Sequence, residues 1–528
     1  MTDSEKSDSK KVYINKLMQH YKNKNYVAAE KIAKLAIKKY PDLSISWKIL
    51  GAVLRQTERL EESFVAYKNV TKTFPDDHEG FFGLANVYQN LNQLHDAKES
   101  YLKAISLNPK YPEAFNNLGI IYKKLNKFKD AEAAHREAII LNPTDAAFHN
   151  NLGVLHKILG KYEKALICYE KAILLNSDYS EAHENLAYAY QELGRFEDAE
   201  LSYRDAIALK PSNSASHNNL GLVLRFLGKF EEALLCFQKA ISLKPDNDGA
   251  HINLGQEFFR FANYKKASEH FGLSKIQKAK SYNLRCLYYI DETLFFNLFD
   301  KLISEGERNA IIGHIGCLSR VKFNSERNNP FCNSPLKYIY TNDLRVENDF
   351  TDDFINPIQE ILNEKKTPKR RQDLLVKGTQ TFGNIFDSQN DSIKKIKKII
   401  FYEIEKYRIH FQKSKEGFIK HWPKNFDLYG WIIKMKSEGK LHPHMHDTGW
   451  ITGSVYINIP TKTSSNNGNI VVSINDREQP FQQKLVHEKV IDVFTGTICF
   501  FPASLLHHTI PFSSKEDRIV LAFDVIPK

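Results

Sequence analysis

The sequence predicts a multidomain chain: an N-terminal all-α superhelix of repeated helical hairpins, then a C-terminal β jelly roll with flanking helices. Three observations predict it. Proline, small and aromatic residues recur every 34 positions through the first half. That periodicity stops after about residue 275. From residue 427 onward, short β-branched and aromatic runs alternate with Gly, Asn, Ser and Pro turns.

The 34-residue step is carried by several residue types at once. Prolines stand at 41, 75, 109, 143, 211 and 245, with Ser177 in the remaining register. Leu50-Gly51, Leu84-Ala85, Leu118-Gly119, Leu152-Gly153, Leu186-Ala187, Leu220-Gly221 and Leu254-Gly255 keep the same step, as do Ala97, Ala131, Ala165, Ala199, Ala233 and Ala267. Small residues let two antiparallel helices approach closely, while Tyr67, Tyr101, Tyr169, Tyr203 and Phe237 fill the space between them. Proline closes the second helix of each pair. A fixed period of this length is the mark of a stacked repeat architecture. The array resembles the tetratricopeptide repeat, with about eight units over residues 8–275. Its ends are degenerate, as capping repeats are: Lys16-Leu17 replaces Leu-Gly, and Ala279 replaces the last proline.

The resemblance implies a concave groove that binds rather than reacts. Asn117, Asn151, Asn185, Asn219 and Asn253 form a ladder with the same step, each just before the signature Leu. The position is similar to the asparagine ladder of O-linked N-acetylglucosamine transferases, which implies amide side chains gripping the backbone of a protein or peptide partner. A carboxamide donates and accepts at once, which suits a peptide bond of any sequence. Asn116, Asn150 and Asn218 beside the ladder read as additional polar surface.

Composition narrows the remaining classes. The net charge is +11, but lysines are spread along the chain among acids, which reads as a solvated surface and leaves nucleic acid without a dedicated patch. Six cysteines are scattered singly, with no CxxC, so neither a disulfide framework nor a zinc ribbon is expected. No signal-like or membrane-length apolar run occurs, and a cytoplasmic protein is expected.

Residues 276–350 read as a connector: helical over 281–306, then an Asn-, Ser- and Pro-rich loop over 323–349. The segment 351–528 reads as the second domain, with helices near 352–364 and 392–412 and five short strands after 427.

Chemistry-bearing residues gather at two places in that domain. His442, His444 and His446 alternate in "LHPHMHDTGW" just before a strand, so they share one face of an extended segment. His507 and His508 follow "CFFPASLL", and Arg518 opens the last strand. Imidazoles converging from distant positions suit a divalent metal. The motifs "HMHDTGWITGSVYINIP" (444–460), "FPASLLH" (501–507) and "RIVLAFDV" (518–525), with the upstream "LLVKGTQTFGNIFD" (374–387), resemble the non-haem Fe(II)- and 2-oxoglutarate-dependent oxygenases of double-stranded β-helix fold. The resemblance covers roughly residues 370–528.

That resemblance implies Fe(II) as cofactor, 2-oxoglutarate as co-substrate, and a dioxygenase or hydroxylase reaction releasing succinate and CO2. It places His444 and His507 as metal ligands and Arg518 on the far carboxylate of 2-oxoglutarate, with Ser454 and Thr452 as hydrogen-bond donors to the co-substrate. The second ligand position departs from the family's usual Asp. It is filled by His446, by the adjacent Asp447, or by water. His442 reads as surface, His508 as facing away from His507, and Trp431, Trp450 and Tyr456 as core. Gln380 and Thr381 match the family stretch without an evident role. The groove implies a polypeptide substrate. The alternative is a protein-binding scaffold with an inactive oxygenase domain, while a glycosyltransferase is disfavoured by the strand-rich C-terminal half.

Overall fold

The computed structural model describes residues 3–363, 369–370, 374–388, 390–462, 464–476 and 487–528. The chain divides into two compact units, Met1–Ala189 and Tyr190–Lys528.

In the first unit, antiparallel helix pairs follow one another, for example Ala146–Ile158 with Tyr162–Leu175. The small residue of the signature is what lets each pair close. A Cβ on Gly153 would lie 2.5 Å from a ring carbon of Tyr169, so a larger residue there would have to push the ring aside. Asp77 and Asp145 cap helix N-termini, accepting from the backbone amides of Gly80 and Ala147. The turn inside each pair holds a residue with positive φ, and that position also repeats: Lys24, Glu58, Asn92, Asn126 and Gly160. The sequence does not announce this turn, because in this unit only one of the five is glycine.

The second unit continues with the same helical hairpins, where Gly194, Gly228 and Ala262 occupy the positive-φ turn. Helices Gln277–Ile290, Glu292–Ser304 and Ala310–Lys322 follow. Phe271, Tyr288, Phe295, Phe299 and Ile315 bury into one core with them.

The β fold has two antiparallel sheets. Its strands are β1 (Tyr340–Asp343), β2 (Lys369–Arg370), β3 (Leu375–Thr381), β4 (Phe426–Leu441), β5 (Ile451–Asn458), β6 (Ile470–Ile474), β7 (His487–Ile491), β8 (Thr497–Pro502), β9 (Leu506–Thr509) and β10 (Arg518–Pro527). The large sheet runs β1-β8-β5-β10-β4-β3-β2 and the small one β7-β6-β9, a jelly-roll arrangement. One face of the large sheet presents Leu521, Phe523 and Val525 to Ile393, Ile396, Ile400 and Ile404 of helix Asp391–His410. The other face turns toward the small sheet, where Tyr456, Val472, Phe501 and Val520 form a second core.

One expectation is corrected. The segment 323–349 is not loop throughout, because β1 pairs antiparallel with β8 from Tyr340↔Phe500 to Asp343↔Thr497. Its polar composition fits an edge strand, which is satisfied by backbone pairing on one side only.

Candidate functional site

The three strands at the centre of the large sheet set the site. In β10, period 2 puts Arg518, Val520, Ala522 and Asp524 on the face opposite Leu521 and Phe523. Register aligns Ala522 with Trp431 of β4 and Ser454 of β5, and Asp524 with Tyr429 and Thr452. An inward row of side chains therefore crosses three strands without any sequence neighbourhood between them.

The histidines close one end of this row. His444 bridges to His507 by both backbone hydrogen bonds, at 3.1 and 2.8 Å, which ties the loop after β4 to β9. As a result His444, His446 and His507 each offer a ring nitrogen within 4.8 Å of the others. His444 Nδ1 donates to the carbonyl of His442 at 2.9 Å. His446 Nδ1 donates to Asp524 Oδ1 at 2.7 Å. With Nδ1 so engaged, Nε2 is the ligand atom left on both rings. Burial, then the facing His444 and His446 rings, hold His507 well below the ordinary imidazole range. His446 is driven down by burial but up by Asp524, and the net shift is upward.

Arg518 lies at the other end of the same narrow cleft, with Ser454, Thr452 and Tyr456 between it and the histidines. Arg518 is 3% exposed. Nε donates to the Gly468 carbonyl at 3.2 Å. Among the described residues no carboxylate pairs with it. A buried cation without a counter-charge is costly, and burial pulls its pKa down. The cleft thus has a three-imidazole group at one end and, at the other, a buried guanidinium with no carboxylate beside it among the described residues. That donor set fits a divalent metal and a dicarboxylate held between them.

A wider cavity of about 500 Å³ shares Trp431, His444 and His446 with the cleft. Gln380, Tyr429, Trp431, Met445 and Asp447 line it, and helix Gln277–Ile290 contributes Arg285. Thr381 instead fastens β3 to β4, its hydroxyl accepting from Ile432 N at 3.0 Å. Gln380 Oε1 is buried on the cavity wall without a hydrogen-bond partner among the described residues.

Several expectations change in the structure. Asp447 is outside the three-histidine group, and its charge bears on His446 as well as on Tyr282 and Lys278 of helix Gln277–Ile290. Trp431 and Tyr456 are buried yet line the clefts, whereas Trp450 packs in the core, its indole donating to Phe418 O at 2.8 Å. His442 is exposed and His508 half-buried. Asn116 and Asn150 are not polar surface: they are 7% and 0% exposed and accept from the ladder of the next repeat. Asn151 donates to Asn116 at 3.0 Å, Asn185 to Asn150 at 3.1 Å and, in the second unit, Asn253 to Asn218 at 2.9 Å. Asp524 went unread; its signal was a carboxylate at even spacing from Arg518 in an otherwise apolar strand.

Family models match both halves. Residues 429–524 match the family described as "Putative 2OG-Fe(II) oxygenase". Tetratricopeptide repeat models match residues 90–126, 112–145, 146–179, 168–200 and 214–247. No curated protein matches the chain. Among solved structures, the Cut9–Hcn1 hetero-tetramer of APC/C is similar at 18% identity, over 47% of this chain and 48% of that one, with a TM-score of 0.41. A tetratricopeptide repeat protein from Parabacteroides merdae is similar at 20% identity, over 48% and 99%, with a TM-score of 0.38. YrrB, described as a TPR protein with an unusual peptide-binding site, is similar at 22% identity, over 35% and 95%, with a TM-score of 0.31. These likenesses carry no argument about what the present chain does. The family matches and the jelly-roll architecture agree: the chain joins tetratricopeptide repeats to a domain of the 2OG-Fe(II) oxygenase family.

Proposed function

We propose that the protein is an Fe(II)- and 2-oxoglutarate-dependent hydroxylase acting on a polypeptide. The observation that carries the reading is the single cleft with three converging imidazoles at one end and the buried, carboxylate-free Arg518 at the other.

In this reading His444, His446 and His507 hold the metal, and Arg518 forms a bidentate pair with the far carboxylate of 2-oxoglutarate. Iron and 2-oxoglutarate bound there would let dioxygen act as the oxidant, one oxygen atom entering a C–H bond as hydroxyl and the other entering succinate as CO2 is released. The chain's own contribution is placement. Ser454 and Thr452 offer hydroxyls along the cleft, and Tyr456 and Val520 exclude water from its walls. The wider cavity receives the substrate next to the histidines, with Trp431, His444 and His446 shared by both spaces.

Tetratricopeptide repeats are binding modules, and the half-buried amides of Asn117, Asn151, Asn219 and Asn253 are the groups we assign to a peptide backbone. Arg285 in the cavity wall comes from the helix that follows the last repeat, which supports a substrate delivered from the repeat side.

The test is an anaerobic titration of Fe(II) and 2-oxoglutarate, watching for the charge-transfer absorption of the chelate. Wild type should show the band and His507→Ala should lose it. Arg518→Ala should need at least tenfold more 2-oxoglutarate. A folded wild type with no band would sink the reading.

A further inference from the structure

Three neutral imidazoles bring one negative charge fewer to a metal than the two-histidine, one-carboxylate set usual for non-haem Fe(II). The following inference rests on the cleft being such a metal site, and it concerns where that charge has gone.

Asp524 is the carboxylate next to the three-histidine group. It is 5% exposed and sits in β10 between Phe523 and Val525, which point into the opposite, helix-facing core. Among the described residues its ionic partner is His446. Oδ1 takes two hydrogen bonds, from His446 Nδ1 at 2.7 Å and from the Thr452 hydroxyl at 2.9 Å. Thr452 is itself buried on the neighbouring strand, directly across from Asp524 in register. A carboxylate on the cavity wall whose Oδ1 is held between an imidazole nitrogen and a hydroxyl of the neighbouring strand is a built arrangement.

We propose that Asp524 is a positioning residue that returns to the metal centre, through His446, the negative charge its ligand set lacks. Three effects follow from the contact. The Nδ1 proton is held on the carboxylate side, so the Nε2 lone pair faces the other two histidines. The ring plane is fixed, because Thr452 grips the same oxygen. The imidazole becomes a more electron-rich ligand, because the anion lies against its far edge. In sequence terms, the carboxylate stands not at position 446, two residues after His444, but within the last strand. Only the fold brings it back, one side chain further from the metal.

Co(II) binding to the full-length chain tests this, using the visible ligand-field bands as readout and needing neither substrate nor turnover. Asp524→Asn keeps the shape and an acceptor oxygen for Thr452 and His446 but removes the charge. Asp524→Ala removes both. The expected result is a 10–100-fold rise in the Co(II) dissociation constant for Asp524→Asn, with a shifted ligand-field spectrum and a metal-free melting temperature close to wild type. Asp524→Ala should bind at least as weakly. Wild-type affinity and spectrum in a folded Asp524→Asn would overturn the proposal, and weakening in Asp524→Ala alone would show that orientation, not charge, is what the residue supplies. A wild type that takes up no Co(II) overturns the underlying metal-site reading instead, so the two failures are told apart by the wild-type titration.

Discussion

Arg518 Nε donates to the carbonyl oxygen of Gly468 at 3.2 Å, and Nη1 lies 3.9 Å from Met435 Sδ. A buried guanidinium met by one carbonyl, a thioether and the ring of Tyr456, with no carboxylate among the described residues, is poor value for stability and good value for an anion that has yet to arrive. Arg518→Met should therefore separate fold from function. Removing a buried, uncompensated charge should stabilise the unliganded chain by about 1–2 kcal/mol, seen as a higher melting temperature. The same variant should lose the thermal protection that millimolar 2-oxoglutarate gives wild type with a bound divalent metal. Equal protection of both proteins would show that the dicarboxylate does not use Arg518.

The asparagine ladder divides into two tasks. Asn185 is buried and donates to Asn150 Oδ1 at 3.1 Å. Asn185→Ala strands that buried oxygen and should cost about 1–3 kcal/mol in chemical denaturation. Asn151 is half-buried, and its acceptor Asn116 also contacts His135 Nδ1 at 3.2 Å, so Asn151→Ala should cost far less. Stability losses that match between the two variants would contradict this division.

Peptide capture should follow the more open amides. The triple variant Asn117→Ala, Asn151→Ala, Asn219→Ala should recover fewer polypeptides than wild type when both are folded at the assay temperature. Recovery of every wild-type partner by the triple variant would remove the ladder from peptide binding and leave the amides as repeat-to-repeat ties.

The repeats were legible because their contacts are local. Gly153 meets Tyr169 sixteen residues on, so one period carries both partners. The positive-φ turn was not legible, since Lys24, Glu58 and Ala262 adopt it beside Gly160 and are held there by the hairpin rather than by their own preference. In the β half, His444, His507 and Arg518 could be seen because imidazole and guanidinium are conspicuous near strands. Asp524 could not, because its meaning lies in His446, 78 residues away. Strand β1 was hidden for a related reason: its hydrogen bonds come from β8, far along the chain, and override a composition that favours loop.

His135 occupies the position that is Tyr169 in the next repeat and Tyr101 in the one before. It is fully buried against Gly119, and burial, with a smaller push from Lys123, lowers its pKa from 6.5 to about 4. The folded state thus holds the ring neutral, while the unfolded chain protonates it below its ordinary pKa. The unfolded state binds more protons in that window, so stability is full above about pH 6.5 and falls as pH drops toward 4. His135→Phe removes the titration and keeps a ring against Gly119, as Phe237 does against Gly221 in a later repeat. Asn116 retains its bond from Asn151. Between pH 7 and pH 5 the variant should gain about 2 kcal/mol relative to wild type, measured as the difference in denaturation free energy at the two pH values. Other titrating groups are common to both proteins and cancel in that difference. A gap between variant and wild type that stays constant from pH 7 to pH 5 would mean that His135 is protonated, and accommodated, inside the fold.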